Sequence, residues 1–358
     1  MTTPIRIAGR PVGPGHAPYV IAELSGNHNR SLERALAIVD AAAEAGADAC
    51  KLQTYRGDTI TLDHDGPEFT IQGGLWDGRK LFELYEEAHT PWEWHEALFR
   101  RGRERGITVF SSPFDPTAVD LLESLGAPAY KIASPELVDL PLIRLVAATG
   151  KPVIMSTGMG TPDEIEEAVA AARDGGCRDL VLLHCVSAYP APVEASNLRT
   201  LEDLATRFGL PVGLSDHTMG TTVAVAAVAL GACVVEKHFT LARADGGVDS
   251  AFSLEPAELR ALVRDTRAAA LALGEIDYRG DAEQATVQFR RSLYVVRDVP
   301  RGTTLTAADV RSIRPSNGMH TRWYDAVLGR AATRDLKRGE PLAFDMVEGL
   351  EPPQEDGR

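Results

Sequence analysis

Residues 212–238, VGLSDHTMGTTVAVAAVALGACVVEKH, hold two apolar runs, VGLSDH and CVVEKH, separated by an Ala-rich stretch long enough for one helix. Each run ends in a histidine. Alternate side chains of a strand share a face, which groups Ser215 with His217 and Glu236 with His238. Six further runs precede these from residue 19 onward: YVIAEL, ACKLQT, TVFSSP, AYKIAS, VIMSTG and LVLLHC. They end on Glu23, Lys51 with Gln53, Ser111 with Ser112, Lys131 with Ser134, Ser156, and His184. Eight strand-then-helix units with chemically capable residues at the strand ends predict a (β/α)₈ TIM barrel, an α/β fold whose active site lies at that end.

Outward from this core, IRIAGRPVGPGHAPYV reads as an N-terminal hairpin that plugs the barrel bottom. Ser31 is an expected N-cap, with Glu33 in the first turn, Leu32, Leu36, Val39 and Ala43 at helical spacing, and Gly46 as the stop. A long loop is expected over 55–90, before Thr90 and Pro91 start the next helix, and it is long enough to fold over the site. A helix is expected from Pro256 to Leu273, which brings the barrel to residue 275, and a charged connector covers 276–290. From Arg291 the near-repeat Asp298-Val-Pro-Arg-Gly-x-x-Leu305 and Asp335-Leu-Lys-Arg-Gly-x-x-Leu342 predicts a small β-rich, pseudo-symmetric domain to residue 350. Residues 351–358 read as a disordered tail.

The chain has 358 residues, room for one barrel of about 250 residues and a smaller domain. A formal charge of −14 argues against nucleic acid or an anionic membrane as partner, so an anionic substrate must be drawn by a local cationic cluster. No stretch approaches the roughly 20 apolar residues of a membrane span. The N-terminus has no apolar signal core, and a cytoplasmic location is expected. Cys50, Cys177, Cys185 and Cys233 show no paired spacing and read as reduced core thiols.

Two imidazoles on adjacent strand ends can converge on a divalent cation and leave positions open to water and substrate. Lys51 and Lys131 point into the barrel mouth, where an ammonium is costly unless an anion neutralises it. With Ser112, Ser134, Ser156 and Ser215 they form a cradle suited to phosphate and carboxylate. The plain alternative pairs these lysines with Glu23 or Glu136 in a structural network. STGMG and ADGG lack nucleotide-binding spacing, and no nucleophile elbow is present.

The segments IAELSGNHN (21–29), KLQTY (51–55), SSPFD (111–115), YKIASPE (130–136), LLHCVSAYPAP (182–192), GLSDHT (213–218), EKHFTL (236–241) and DSAFSLEP (249–256) resemble the sialic acid synthase family. Its members are transferases that condense phosphoenolpyruvate with an amino-sugar aldehyde to give a nine-carbon 2-keto acid. RSLYVV (291–296) and SIRPSNGMH (312–320) resemble the family's C-terminal antifreeze-like (SAF, β-clip) domain. TPWEWHEALF, RADGGVDSAFSLEP and SIRPSNGMHTRWYDAVLG are most similar to the pseudaminic acid synthase branch, which implies the acceptor 2,4-diacetamido-2,4,6-trideoxy-L-altrose. Legionaminic and N-acetylneuraminic acid synthases are the alternatives within the family. Ulosonate synthases using phosphorylated sugars, and a non-catalytic sugar-binding homologue, are the alternatives outside it.

The resemblance implies that His217 and His238 hold a divalent metal, manganese in the first instance, with magnesium or cobalt as alternatives. It places phosphoenolpyruvate on Lys51, Ser112, Lys131, Ser134, Ser156, Ser187 and Ser215, and the sugar on Gln53, Tyr189 and Asp249. Glu23 and Glu136 are the expected proton carriers, beside Lys51 and Lys131 in the catalytic group. Arg314 matches an arginine that reaches into a partner's barrel, which implies a domain-swapped homodimer. Three positions depart from the family pattern: Arg30 and Ser316 stand where glycine is usual, and Pro135 replaces the usual residue in IAS-x-E.

Overall fold

The computed structural model describes residues 2–278 and 280–352; from residue 353 on, the expected disordered tail lies outside the described residues. The chain divides into two compact units, residues 1–274 and the remainder.

In the first unit, β1 (Ile5–Ile7) and β2 (Arg10–Val12) pair antiparallel as the expected hairpin. Eight parallel strands follow: β3 (Tyr19–Glu23), β4 (Ala49–Thr54), β5 (Thr108–Pro113), β6 (Tyr130–Ile132), β7 (Val153–Ser156), β8 (Leu180–Cys185), β9 (Val212–Asp216) and β10 (Val234–His238). They pair in sequence order, and β10 pairs with β3 to close the barrel. Ile5, Ile7 and Val12 of the hairpin pack with Ile21, Ala49, Phe110, Ile154, Val181 and Val234, which fill the amino-terminal half of the barrel interior. The hairpin is therefore a plug. Alternation along each strand decides the rest: one set of side chains turns inward, and the other packs under the helices in one continuous apolar layer.

The connecting helices are α1 (Leu32–Ala45), α2 (Gly57–Ile60), α3 (Leu81–Ala88), α4 (His95–Arg105), α5 (Pro116–Ser124), α6 (Leu140–Ala148), α7 (Pro162–Asp174), α8 (Thr200–Phe208), α9 (Thr222–Ala229) and α10 (Pro256–Leu273). Helix α1 begins at Ser31, whose hydroxyl accepts from the Arg34 amide, and stops at Gly46 with φ +84°. The expected loop over 55–90 is more structured than its composition suggests. It contains α2, α3 and a 3₁₀ turn at Pro67–Phe69, because Leu84 and Ala88 find a buried face to pack against. After Thr90 and Pro91 a 3₁₀ turn, Trp92–Trp94, precedes α4.

The second unit opens with a 3₁₀ helix, Asp281–Phe289, in the segment that reads as a connector. Its antiparallel strands β11 (Ser292–Val295) and β12 (Val310–Ile313) precede α11 (Tyr324–Val327). The near-repeat pairs with itself. Val299 and Leu336 exchange backbone hydrogen bonds of 2.9 and 2.8 Å. Asp298 accepts from the Arg338 amide at 2.9 Å, and Asp335 accepts from the Arg301 amide at 2.8 Å. The equivalent turn glycines, Gly302 and Gly339, have φ of +79° and +92°. Val299, Leu305, Leu336 and Leu342 share its core.

Gly213 on β9 has no room for a side chain. An added Cβ there would overlap the Val234 carbonyl oxygen and stand 2.7 Å from both Leu183 Cδ2 and Val234 Cβ. Gly213→Ala is expected to destabilise the barrel by about 1–3 kcal/mol through overpacking, as read from urea unfolding.

Candidate active site

The inward residues at the carboxyl ends of the strands are polar and buried, and they touch. Lys51 Nζ of β4 lies 2.6 Å from Glu23 Oε2 of β3, 3.8 Å from Glu236 Oε1 of β10 and 3.3 Å from Ser112 Oγ of β5. Lys131 Nζ of β6 also stands 3.8 Å from Glu236 Oε1. Ser215 Oγ donates to that same oxygen at 3.3 Å, and Gln53 Nε2 donates to Glu23 Oε1 at 2.9 Å. Glu236 thus bridges both lysines. The anionic partner of Lys131 is Glu236 rather than Glu136, because Glu236 shares the inward face of the wall.

These contacts set the charge states. Burial raises the Glu23 carboxyl to about 7, with Lys51 opposing and Glu236 assisting. Burial works against the Lys51 ammonium, but Glu23 and Glu236 outweigh it and hold its pKa above the usual lysine value. Burial lowers Lys131, which Glu236 only partly offsets. Burial would also raise Glu236, yet Lys131, Lys51 and His217 together keep it below the ordinary carboxylate value. Glu136, in the 3₁₀ turn Pro135–Val138 after β6, is raised to about 7 by burial, and its Oε2 has no hydrogen-bond partner among the described residues.

His217 follows β9 directly and His238 ends β10, with ring centroids 5.3 Å apart. His217 Nδ1 lies 3.0 Å from the Val186 carbonyl, which leaves Nε2 for a ligand. His238 Nδ1 is buried without a partner among the described residues. Burial, then the neighbouring His217 and lysines, keep His238 neutral, the form that ligates a cation. Among the described residues no group of three or more His, Cys, Asp or Glu is arranged for a metal. A cation on this pair would take its remaining ligands from water or substrate. The Tyr189 ring packs tilted against His217 with centroids 4.5 Å apart, and Phe252 meets His238 edge-on at 4.8 Å. Asp249 closes this side. Burial raises its carboxyl to about 6, opposed by the Gly26 amide, and Ser25 Oγ donates to its Oδ2.

The serines form a second arc. Ser134 Oγ accepts from the Gly158 amide at 3.1 Å, and Ser187 Oγ lies 3.8 Å from Cys185 Sγ. A Cβ on Gly158 would stand 2.5 Å from Ser187 Oγ and 2.7 Å from Ser134 Oγ, so both hydroxyls depend on that glycine. Ser156 Oγ is buried and unpartnered among the described residues. Arg314 follows β12 in the second unit and is exposed.

With this geometry in view, a model of the NeuB family matches residues 38–278, two thirds of the chain. The chain belongs to the NeuB family. An SAF domain model matches residues 290–348. The chain is 43% identical over 333 residues to a pseudaminic acid synthase of Helicobacter pylori, covering 92% of this chain and 98% of that protein. It is 45% identical over 327 residues to a pseudaminic acid synthase of Campylobacter jejuni serotype O:2, covering 90% and 95%. Among solved structures it is similar to N-acetylneuraminic acid synthetase from Leptospira borgpetersenii, with 31% identity and a TM-score of 0.72 over 81% of this chain and 97% of that one.

Within this NeuB-family barrel, several contacts and roles escape a reading of the runs. Glu236 has the parity of His238 but no motif of its own. Cys185 reads as a core thiol, yet it faces inward 3.8 Å from His217 Nδ1; burial would raise it, and His217 instead lowers it to about 7. Trp76 of the 55–90 segment donates its indole N–H to the Val248 carbonyl at 3.1 Å and packs 5.5 Å from Tyr189. An aromatic inside a Gly-rich polar stretch was the available signal. His184 and Ser111 turn outward: His184 bonds the Ser196 carbonyl at 2.7 Å, and Ser111 bonds Thr54 at 2.6 Å. All four cysteines are free and buried.

Two of the departures have physical readings. Arg30 has φ +57°, a left-handed conformation that costs an L-residue about 1–2 kcal/mol and suits glycine. Pro135 is exposed at the start of a 3₁₀ turn, where its missing amide loses nothing.

A carboxyl whose folded pKa exceeds its unfolded value binds its proton more tightly when folded, so rising pH penalises the native state between the two values. For Glu136 that window runs from the ordinary 4.5 up to about 7. Glu136→Gln is therefore expected to unfold at a higher temperature than wild type at pH 8, with the gap closing below pH 5 in a calorimetric series.

Proposed function

We propose that this chain is a pseudaminic acid synthase working in the cytoplasm. It condenses phosphoenolpyruvate with 2,4-diacetamido-2,4,6-trideoxy-L-altrose and water to give pseudaminic acid and phosphate. The observation that carries this reading is identity of 43–45% to two such enzymes along nearly their whole length, over a barrel that brings two lysines and two histidines to one end.

In this reaction carbon 3 of phosphoenolpyruvate bonds to the aldehyde carbon of the open-chain sugar. Water adds at carbon 2, and cleavage of the carbon–oxygen bond there releases phosphate. Lys51 and Lys131 supply the charge that binds phosphate and carboxylate, and Ser112, Ser134, Ser156, Ser187 and Ser215 supply neutral donors around them. Substrate anions take over Lys51 from Glu23, which frees that carboxyl for proton work. Glu23 and Glu136, both raised by burial, take a proton from the attacking water and return one to the new alkoxide. Gln53, Tyr189 and Asp249 orient the sugar, and holding both reactants in register lowers the barrier. A divalent cation held by His217 and His238, manganese before magnesium or cobalt, supplies Lewis-acid polarisation of the aldehyde when bound. Arg314 is assigned to the barrel of a second subunit, in a domain-swapped homodimer.

The test is phosphate release with manganese, phosphoenolpyruvate and one of three acceptors: the altrose derivative, the legionaminic acid precursor or N-acetylmannosamine. Mass spectrometry identifies each product. Release with the altrose derivative alone is expected, and release only with another acceptor overturns the substrate. Lys131→Ala is expected to lose phosphoenolpyruvate binding by calorimetry, whereas His238→Ala retains it and loses turnover. Normal affinity in the Lys131 variant would overturn the cradle.

A further inference from the structure

Lys237 and Asp216 lie on the outer face of the barrel wall, out of reach of the reacting groups, yet both are charged and each has a side chain only 1% exposed. They are direct cross-strand partners in the β9–β10 register. Lys237 Nζ donates to Asp216 Oδ2 at 2.9 Å and to the Thr218 carbonyl at 2.7 Å. Asp216 Oδ1 in turn accepts from the Thr218 amide at 2.9 Å and from its hydroxyl at 2.7 Å. One lysine therefore grips the chain on both sides of His217, and that lysine immediately precedes His238.

A buried ion pair is a weak source of stability, because desolvation offsets its attraction and an apolar pair of similar volume serves as well or better. What such a pair supplies is geometry. Neighbouring side chains of a strand leave on opposite faces, so holding Asp216, Thr218 and Lys237 outside fixes the directions in which His217 and His238 leave inside. We propose that the buried Lys237–Asp216 pair, closed by Thr218, is a positioning device that sets the spacing and orientation of His217 and His238 and hence the site's affinity for a divalent cation. This rests on the reading of those two histidines as the cation's ligands.

The experiment compares manganese binding, by electron paramagnetic resonance of the free ion, in full-length wild type, His217→Ala, His238→Ala and the charge-neutral double variant Asp216→Asn/Lys237→Met. Phosphoenolpyruvate affinity is measured by calorimetry on the same proteins with metal removed. Asn keeps an acceptor for the Thr218 amide, and Met keeps most of the lysine's volume. The double variant is expected to bind manganese about 10–100-fold more weakly, the usual loss when a ligand's supporting partners are removed, with phosphoenolpyruvate affinity within about twofold. Unchanged manganese affinity, or an equal loss of both affinities, overturns the inference and leaves the histidine assignment standing. Manganese binding unaffected in the two histidine variants overturns the assignment and the inference together. If the double variant does not fold, Thr218→Val removes one hydroxyl and no charge. A threefold or larger loss of manganese affinity is then expected, on the same supporting-partner argument, and no loss overturns the proposal.

Discussion

Four charges buried inside a closed barrel govern this molecule. Glu23, Lys51, Glu236 and Lys131 sit inside the wall with almost no access to water. Isolated, each would cost several kcal/mol to desolvate. Together they form a chain in which Glu236 touches both lysines and Glu23 touches one. That mutual neutralisation lets an acidic chain keep two lysines buried in the barrel mouth. It also explains why the lower half of the barrel is sealed by apolar residues and a plug: water entering from below would weaken every interaction above.

The site has two regions of different character. One is the group of lysines and serines, in which Ser134 and Ser187 meet around Gly158 while Ser112 and Ser215 lie against Lys51 and Glu236. The other is the histidine pair, walled by Tyr189, Phe252 and Trp76 and closed by Asp249. A polar cradle suits an anion, and an aromatic wall suits a sugar with apolar substituents. Glu23 and Glu236 face both. The loop carrying Trp76 and the loop carrying Asp249 come from opposite ends of the barrel sequence and meet only because β10 closes on β3.

Much of this was legible beforehand because strand alternation is a strict rule. Lys51, Lys131, Ser112, Ser215, His217 and His238 could be placed on one inner face by counting in twos, at the carboxyl ends of their strands. Counting fails where a residue's importance depends on its neighbours. Glu236 was visible as an inward carboxylate, but its bridging role depends on where two lysines from other strands end. Cys185 looked like any buried thiol until His217 was beside it. Helices α2 and α3 were missed because Gly, Asp and Thr dilute a short apolar face, and tertiary burial overrode weak local preference.

Periodicity and the residues at the run ends determined, without a structure, that this chain is an eight-unit barrel with a β-rich appendage and a polar mouth of lysines, serines and histidines. Those features are local, repeating every second residue or every strand–helix unit, and so are written directly into the chain. The tertiary structure alone decided which carboxylate partners which lysine, which thiol faces the site, where Trp76 lands, and that an ion pair behind the wall joins the strands bearing the two histidines. These are contacts between segments far apart in sequence, and their distances exist only after the barrel closes.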